Sequence, residues 1–440
     1  MCIRDSLFYQ HNPYETRWGH MSWGHAVSSD LVHWQHLSIA ILEEPEQGYT
    51  IFSGSVVIDY ANSSGLGQAN QPPMVAIYTA DFRESHIEDI HIAYSNDRGR
   101  TFTKYAGNPV IAIGERKFGD PKVFWHAESD KWMMVNICGW PEGHVVLYAS
   151  SDLKAWEYLS EFHAQETAPA VWECPDLFPL MVDDDPHNVK WVLKTNFVKP
   201  GENISGTRYF VGDFDGTNFT RIASLGGAFT SDQGTMYAEV TYNDTPDARR
   251  VLFGWLQQQP HEGRRWTGAQ SLPRALSLHT WDDGFELRQT PTLELQTLRK
   301  QHIYIEHLLL AGKTHPINGL DLSGGAVEII AEFEVKAAAV CEVTLHLADG
   351  NVAAVGYDSA SNALFVDRSE QERIVAPLLP TEGKVKLHIF FDQDILEVFG
   401  GNGKAGITTW LPFGNPYQRL TCNAQDGPAT LIRLDAWQLT

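Results

Sequence analysis

One short pattern returns five times between residues 20 and 290. In each copy an apolar stretch leads into a turn that contains Asp, and an aromatic residue follows soon after. An Asp side chain can close a tight turn between two strands, and the ring after it can pack one sheet on its neighbour. The pattern therefore predicts a series of small antiparallel sheets. The copies recur roughly every 55 to 70 positions and are Asp30 and Trp34, Asp97 and Phe102, Asp152 and Trp156, Asp215 and Phe219 and, more weakly, Asp283 and Phe285.

Five such repeats, each long enough for about four short strands, predict a five-bladed β-propeller over residues 1–292. The unit is somewhat longer than the ~40–50 residues of the commoner propeller repeats. A β-sandwich in which the turns recur by coincidence is the alternative.

The character of the sequence changes after residue 292. Residues 293–309, which include LELQTLRK, are predicted to be a linker. Residues 310–440 contain runs of period-two alternation such as VEIIAEFEV and KVKLHIFFD, separated by short polar turns, and this pattern predicts an antiparallel β-sandwich. The predicted fold class is therefore all-β, a five-bladed β-propeller followed by a C-terminal β-sandwich.

The charge of the chain excludes one class of partner. Its 55 Asp and Glu residues outnumber its 33 Lys and Arg residues and give a net charge of -22, so nucleic acid would be repelled. No apolar run approaches the ~18–20 residues that span a bilayer, and no membrane segment is expected. The scattered cysteines fit neither a zinc motif nor a disulfide framework, so no metal or cofactor is predicted, and the oligomeric state stays open. Four closely spaced histidines also lack zinc-motif spacing, namely His20, His25, His33 and His36.

Two acidic residues stand in distinctive turn contexts. Asp120 lies between Gly and Pro in FGDPKVFW, and Glu173 lies between Trp172 and Cys174 in WECPDLFPL. Asp before Pro is a frequent turn former, and Glu173 could be an ordinary surface residue. Glycoside hydrolysis, however, needs one carboxyl group kept protonated by apolar surroundings and a second carboxylate close by. Trp172 and Cys174 would form such an apolar wall beside Glu173.

A set of motifs runs in order along nearly the whole chain: HNPYETRWGHMSWGHAVSSDLVHWQHL, IFSGSVVID, AYSNDRGRTFTKYAGNPVI, FGDPKVFW, WECPDLFPL, YFVGDFDGTNF, WTGAQSLPR and ILEVF. In order and spacing they resemble glycoside hydrolase family 32, the β-fructosidases of the levanase, inulinase and invertase type. The resemblance implies a retaining glycosidase with an acidic funnel at the axis of its propeller. It also implies release of terminal β-D-fructose from a fructan (levan or inulin) or from sucrose.

The resemblance further implies roles for individual residues. Glu173 falls on the acid/base position, and Asp120 falls on the residue that stabilises the transition state. Position 119 is Gly where the family has Arg, so a charged hydrogen-bond donor to the sugar is missing. The affinity for the sugar is therefore expected to be lower. The residues implied for the fructose pocket are Gln10, Trp18, Phe52, Ser53, Gly119 and, more weakly, Tyr237 and Trp255.

The nucleophile Asp of the family is expected to lie outside this sequence. It belongs to an Asn-Asp-Pro-Asn-Gly motif on the first strand, well before the Gln that corresponds to Gln10, and counting back from Gln10 runs past residue 1. Asp5 is too close to Gln10 to take this role. We therefore expect an N-terminally truncated sequence, with a non-catalytic fructan-binding protein or inactive fragment as the alternative. The compartment stays open, with a secreted or periplasmic location slightly favoured.

Overall fold

The computed structural model describes residues 2–3, 6–68, 71–164, 170–199, 201, 204–222, 232–245, 247–257, 263–282, 284–335, 339–369, 371–412 and 414–439. Asp5 and Asp283 lie outside these ranges. The described secondary structure is almost entirely strand, with short 3-10 turns at Pro45–Gln47 and Leu293–Leu298. The predicted all-β class is confirmed. Among the described residues, no helix has the length and apolar character needed to cross a membrane.

The strands up to residue 291 are β1 (Cys2–Ile3), β2 (Ser6–His11), β3 (Ser22–Val27), β4 (Gln35–His36), β5 (Tyr49–Ile58), β6 (Met74–Phe82), β7 (Glu88–Ser95), β8 (Thr103–Lys104), β9 (Phe118–His126), β10 (Lys131–Cys138), β11 (His144–Ser150), β12 (Glu157–Phe162), β13 (Val171–Val182), β14 (Asp185–Lys199), β15 (Ile204–Phe214), β16 (Phe219–Arg221), β17 (Met236–Asn243), β18 (Arg250–Leu256), β19 (Ala269–Gln270), β20 (Arg274–Trp281) and β21 (Gly284–Pro291). The later strands are β22 (Arg299–Leu310), β23 (His315–Ile317), β24 (Ala326–Glu334), β25 (Val340–Leu347), β26 (Val352–Asp358), β27 (Ala363–Arg368), β28 (Ile374–Pro377), β29 (Lys384–Asp392), β30 (Ile395–Gly400), β31 (Ala405–Trp410), β32 (Tyr417–Gln425) and β33 (Ala429–Leu439).

Groups of consecutive antiparallel strands make up a first compact unit, formed by Met1–Thr230, Tyr237–Pro273 and Thr280–Phe285. Strands β5 to β8, β9 to β12 and β13 to β16 each pair with the next strand in sequence. Strands β2 to β4 do the same, and β1 pairs in parallel with β17. Short connections between neighbouring strands favour this arrangement.

The repeated Asp residues lie in the last hairpin of each group. Asp30, Asp97, Asp152 and Asp215 connect β3 to β4, β7 to β8, β11 to β12 and β15 to β16, respectively. In each turn a carboxylate oxygen accepts hydrogen bonds from backbone N–H groups two to four residues ahead. The predicted turns are thus confirmed in these four copies.

The aromatic residue that follows each Asp packs onto a neighbouring strand group. The ring of Trp34 lies 6.1 Å from that of Phe253 on β18, and the ring of Phe102 lies 5.7 Å from that of Phe8 on β2. Phe219 is buried in an apolar cluster with residues of β10, β11 and β13. The rings therefore fix one group of strands against the next, as the repeat predicts.

The first strands of the groups are tied directly to one another by buried polar side chains. The Asn243 Nδ2 group on β17 donates to the carbonyl oxygens of Val56 on β5 and Val123 on β9, both at 3.0 Å. The Lys122 Nζ group on β9 donates to the carbonyl oxygen of Thr241 at 2.5 Å. Because buried carbonyl groups must be satisfied inside the protein, these bonds fix the relative positions of β5, β9 and β17.

A second compact unit comprises Glu286–Thr440 with the short pieces Ser231–Met236 and Arg274–His279. It contains two six-stranded sheets, in the orders β22-β33-β24-β29-β30-β31 and β23-β32-β25-β26-β27-β28. Alternate side chains of both sheets enter one apolar cluster, as period-two patterning requires. Within residues 293–309, predicted to be a linker, lie the 3-10 turn Leu293–Leu298 and most of β22.

We predict that Asn243→Ala lowers the free energy of unfolding by about 2–4 kcal/mol, because two buried carbonyl groups lose their donor. Urea unfolding measures the effect. Asn188→Ala, at an exposed position on β14, is the control and should change the free energy by less than about 0.5 kcal/mol. Equal effects of the two substitutions would contradict the role of Asn243.

Candidate active site

The first strands of three groups are each interrupted at the residues singled out from the sequence. The pairing of β5 shifts between Ile51 and Gly54, at Phe52 and Ser53. The pairing of β9 with β10 shifts at Asp120 and Pro121, and that of β13 with β14 shifts between Glu173 and Asp176. Pro has no N–H group for the ladder, and a β-bulge re-aims the side chains that it carries. The three bulges therefore present these motifs together.

Glu173 is held by two donors. The Lys117 Nζ group donates to Glu173 Oε1 at 2.9 Å, and the Tyr237 hydroxyl donates to Glu173 Oε2 at 2.6 Å. Burial, together with the adjacent Glu173 carboxylate, raises the pKa of Tyr237, so its phenol stays protonated and remains a donor. Both carboxyl oxygens of Glu173 are thus oriented by neighbouring strands.

Asp120 is tied to the strand that carries Glu173. Its Oδ2 atom accepts a hydrogen bond from the Cys174 N–H group at 2.9 Å, and its own N–H group donates to Thr79 Oγ1 at 2.8 Å. Asp120 has a φ of 56° and Cys174 a φ of 46°, a region that non-glycine residues seldom adopt. Such strain persists where the surrounding structure imposes it, often at functional sites.

Asp120 belongs to a cluster of four ionisable groups, with Glu173, Glu88 and Lys117. Burial raises the pKa of Asp120, with Lys117 opposing this effect and Glu173 adding to it. Although burial opposes its charged form, the carboxylates of Glu173, Asp120 and Glu88 raise the pKa of Lys117, which therefore remains a cation. The result is one ammonium group among three carboxyl groups.

Gly119 lies in a confined position beside this cluster. A Cβ atom placed there would lie 2.8 Å from Thr79 Oγ1 and 3.0 Å from Glu88 Oε2. Glu88 in turn accepts a hydrogen bond from the Phe118 N–H group at 2.8 Å. Glycine at position 119 thus leaves room for the Thr79 hydroxyl, which holds Asp120.

The other residues predicted for the site occupy different strands. The Trp18 ring is exposed and lies 5.8 Å from the Phe52 ring, and Ser53 on β5 accepts a hydrogen bond from Thr79 through its carbonyl oxygen. Gln10 lies on β2, and its buried amide has no hydrogen-bond partner within the described residues. Trp255 lies on β18, opposite Gln270 of β19. Glu173 thus hydrogen-bonds Tyr237 and interacts electrostatically with Asp120. Gln10 and Trp255 lie outside this group of interacting side chains.

Trp172 does not form the apolar wall expected beside Glu173. The Trp172 ring packs in the core, stacked 6.0 Å from that of Phe210, and the groups that contact the Glu173 carboxyl are Lys117 and Tyr237. Successive side chains of a regular strand point to opposite faces, so the Trp172 ring faces away from the Glu173 carboxyl group. Cys174 lies within the bulge that follows.

Three residues of the site were not identified from the sequence: Thr79, Glu88 and Lys117. Lys117 lies directly before β9 and two positions before Gly119, and this spacing could have marked it as sharing a face with Gly119. Thr79 and Glu88 lie on β6 and β7. No motif marks them, and only the pairing of those strands with their neighbours brings them near Asp120.

Comparison with protein families gives two adjoining matches. Residues 6–291 match the glycosyl hydrolases family 32 N-terminal domain, and residues 294–438 match the glycosyl hydrolases family 32 C-terminal domain. The chain belongs to glycosyl hydrolase family 32. The family predicted from the motifs is therefore confirmed.

Individual members of the family are similar over most of this family 32 chain. A levanase from Bacillus subtilis (strain 168) is 43% identical over 425 residues, which cover 91% of this chain and 62% of the levanase. This chain thus spans less than two thirds of that relative. An extracellular exo-inulinase from Aspergillus niger is 32% identical, with 99% of this chain and 89% of the relative covered. A solved structure with a TM-score of 0.89 to this chain is that of a β-fructofuranosidase from Schwanniomyces occidentalis, complexed with fructosyl-erythritol. The two chains are 27% identical, and the match covers 99% of this chain and 94% of the β-fructofuranosidase chain.

The carboxyl group of Glu88 makes the stability of this family 32 chain depend on pH. Burial raises its pKa to about 7 from 4.5, so between these values the folded chain holds a proton that the unfolded chain has lost. The free energy of unfolding then falls as pH rises through this window. Glu88→Gln removes the titration but keeps an acceptor for Phe118. The difference in free energy of unfolding between the variant and the unsubstituted protein should shift in favour of the variant by about 1–3 kcal/mol from about pH 5 to pH 8.

Urea unfolding at both pH values measures this gain. Glu128→Gln, whose side chain is 87% exposed in the native chain, is the matched control and should leave the pH dependence unchanged. If Glu88→Gln follows the same pH curve as the unsubstituted protein, Glu88 does not titrate in this window.

Proposed function

We propose that this protein is a retaining glycosidase that releases terminal β-D-fructose from fructans (levan or inulin), from sucrose, or from both. The observation that carries the proposal is the Glu173 carboxyl, held at both oxygens beside the partly buried carboxyl of Asp120. The relatives named levanase and exo-inulinase, and the related structure complexed with fructosyl-erythritol, favour this substrate class.

Glu173 is proposed as the acid/base. In a retaining mechanism this residue first donates a proton to the leaving oxygen and later accepts one from the attacking water. After the first step it is a carboxylate, and Lys117 and Tyr237 already lie where they stabilise that charge. Donors fixed before the reaction need little rearrangement when the charge develops.

Asp120 is proposed to bind the fructosyl hydroxyl groups and to stabilise the transition state. Its carboxyl is oriented by the Cys174 N–H group, leaving remaining lone pairs for sugar hydroxyls. The unpartnered amide of Gln10 would provide further donors and acceptors, and the exposed Trp18 ring over Phe52 would contact an apolar sugar face. The roles of Gly119, Ser53, Tyr237 and Trp255 as pocket residues stay predictions.

The nucleophile also stays a prediction. A retaining enzyme needs a carboxylate about 5–5.5 Å from the acid, and the family resemblance puts it on a strand ahead of Gln10. Asp120 already has another proposed role. Activity is therefore best tested in a chain that carries the Asn-Asp-Pro-Asn-Gly strand before residue 6, by measuring fructose release from levan, inulin and sucrose. No release from any of the three would overturn the proposal.

The architecture that we propose is a five-bladed propeller over residues 1–292, a connecting segment at 293–309 and a β-sandwich over residues 310–440. Four Asp-closed hairpins at repeated positions support the propeller. The two family matches meet near the proposed boundary. The two six-stranded sheets around one core support the sandwich.

A fructan-binding protein without turnover is the other class that the sequence left open. The relatives are named as enzymes, which favours hydrolysis. We propose a location outside the cytoplasm, supported by the relative named extracellular exo-inulinase. Binding of inulin without any fructose release, in a chain that carries the Asn-Asp-Pro-Asn-Gly strand, would identify a binding protein instead.

We predict that Glu173→Gln lowers kcat on inulin by about 10²–10⁴-fold, the usual contribution of a general acid, and flattens the alkaline limb of the pH profile. Steady-state kinetics on a chain that carries the Asn-Asp-Pro-Asn-Gly strand measures both. Glu128→Gln, at an exposed position, serves as the control. Turnover by Glu173→Gln close to that of this control would remove Glu173 from the acid/base role.

The order in which products appear tests how the substrate enters. We predict that free fructose is the first product from levan and inulin and accumulates steadily, because a pocket fitted to a terminal sugar admits only a chain end. Chromatography of early time points distinguishes the outcomes. Oligosaccharides that appear before fructose would show that internal bonds are cut and would refute the exo-acting assignment.

A further inference from the structure

Three potential metal ligands converge at an edge of the sheet β9 to β12, and none of them belongs to the carboxylate cluster of the proposed active site. His144 begins β11, Glu161 lies in β12, and His163 follows the end of β12. The register places Val146 opposite Glu161 and Val145 opposite Phe162. By continuation His144 lies across from His163. Residues directly opposite share a face, and so do residues two apart on one strand, so the three side chains share one face.

The donor atoms of these side chains are spaced for a single small cation. His163 Nε2 lies 3.3 Å from Glu161 Oε1, and His144 Nε2 lies 3.8 Å from Glu161 Oε2. One donor atom from each residue lies within 4.8 Å of the others. Tetrahedral Zn²⁺ with bonds of about 2.0–2.1 Å needs ligand atoms roughly 3.3–3.4 Å apart. Small side-chain rotations therefore suffice to bring all three into contact with one ion.

The two imidazole rings lie close together beside Glu161. Their rings are stacked, with centroids 4.4 Å apart and an interplanar angle of 17°. Exposed fractions of 50% for His163 and 49% for Glu161 leave one side of the group open to water.

We propose that His144, Glu161 and His163 bind one Zn²⁺ ion, with water in the fourth position. Two imidazole nitrogens and one carboxylate oxygen form a donor set that suits Zn²⁺ and disfavours Ca²⁺ or Mg²⁺, which take oxygen ligands. The ion would link the edge strand β12 to β11. This site is independent of the proposed hydrolytic function, because it uses none of the residues assigned to it.

Isothermal titration calorimetry of Zn²⁺ into tag-free protein tests the proposal. We expect one saturable site per chain, with affinity reduced at least about 10-fold in His163→Ala and in Glu161→Gln. His187→Ala, at an exposed position on β14, is the matched control and should bind Zn²⁺ as the unsubstituted protein does. Zn²⁺ should also raise the Tm of the unsubstituted protein and of the control more than that of the two ligand variants.

Cobalt provides an independent measurement of the geometry. Co²⁺ bound at this site should give the strong visible absorption of tetrahedral coordination, and Zn²⁺ should displace it. Both ligand variants are at half-exposed positions, and circular dichroism verifies that they fold. Unchanged Zn²⁺ affinity in both folded variants, or no saturable binding to the unsubstituted protein, would overturn the proposal and leave the cluster a surface ion pair.

Discussion

The ammonium group of Lys117 lies among the carboxyl groups of Glu88, Asp120 and Glu173, and the candidate active site depends on this balance of charge. A carboxylate enclosed by protein is costly unless a cation or hydrogen-bond donors compensate it. Lys117 donates directly to Glu173, the Cys174 N–H group donates to Asp120, and Glu88 is kept partly protonated near neutral pH by burial. Removal of the cation would leave three acids in close proximity, and their mutual repulsion would favour protonation or displacement.

The local backbone is arranged to meet this constraint. Bulges in β5, β9 and β13 interrupt the regular pairing where Phe52, Asp120 and Cys174 lie. The freed N–H groups of Asp120 and Cys174 then bond to Thr79 and to the Asp120 carboxyl instead of to a neighbouring strand. A β-bulge thus converts backbone donors, normally used within a sheet, into groups that hold the side chains of the candidate site.

The strands beneath the site are fixed by a second layer of buried polar groups. Lys194 and Glu239 form a fully buried ion pair at 2.7 Å, and the hydroxyl of Thr207 donates to Glu239. Asn243 and Lys122 bond to carbonyl groups of adjacent strands. Breaking such a buried pair is strongly destabilising, so these groups oppose the small displacements that a catalytic constellation cannot tolerate.

The amino-acid sequence predicts the family, the all-β class, the four Asp-closed turns and the choice of Glu173 and Asp120 as candidate site residues, because these follow from local turn chemistry and from motifs that are contiguous in the chain. It could not supply Lys117, Thr79 and Glu88 as partners of Asp120, since their meeting depends on pairing between strands far apart in sequence. Trp172 does not form the apolar wall expected beside Glu173, because neighbours along a regular strand face opposite ways. The cluster of His144, Glu161 and His163 also has no zinc-motif spacing. Only the register of β11 on β12 brings those three side chains to one face.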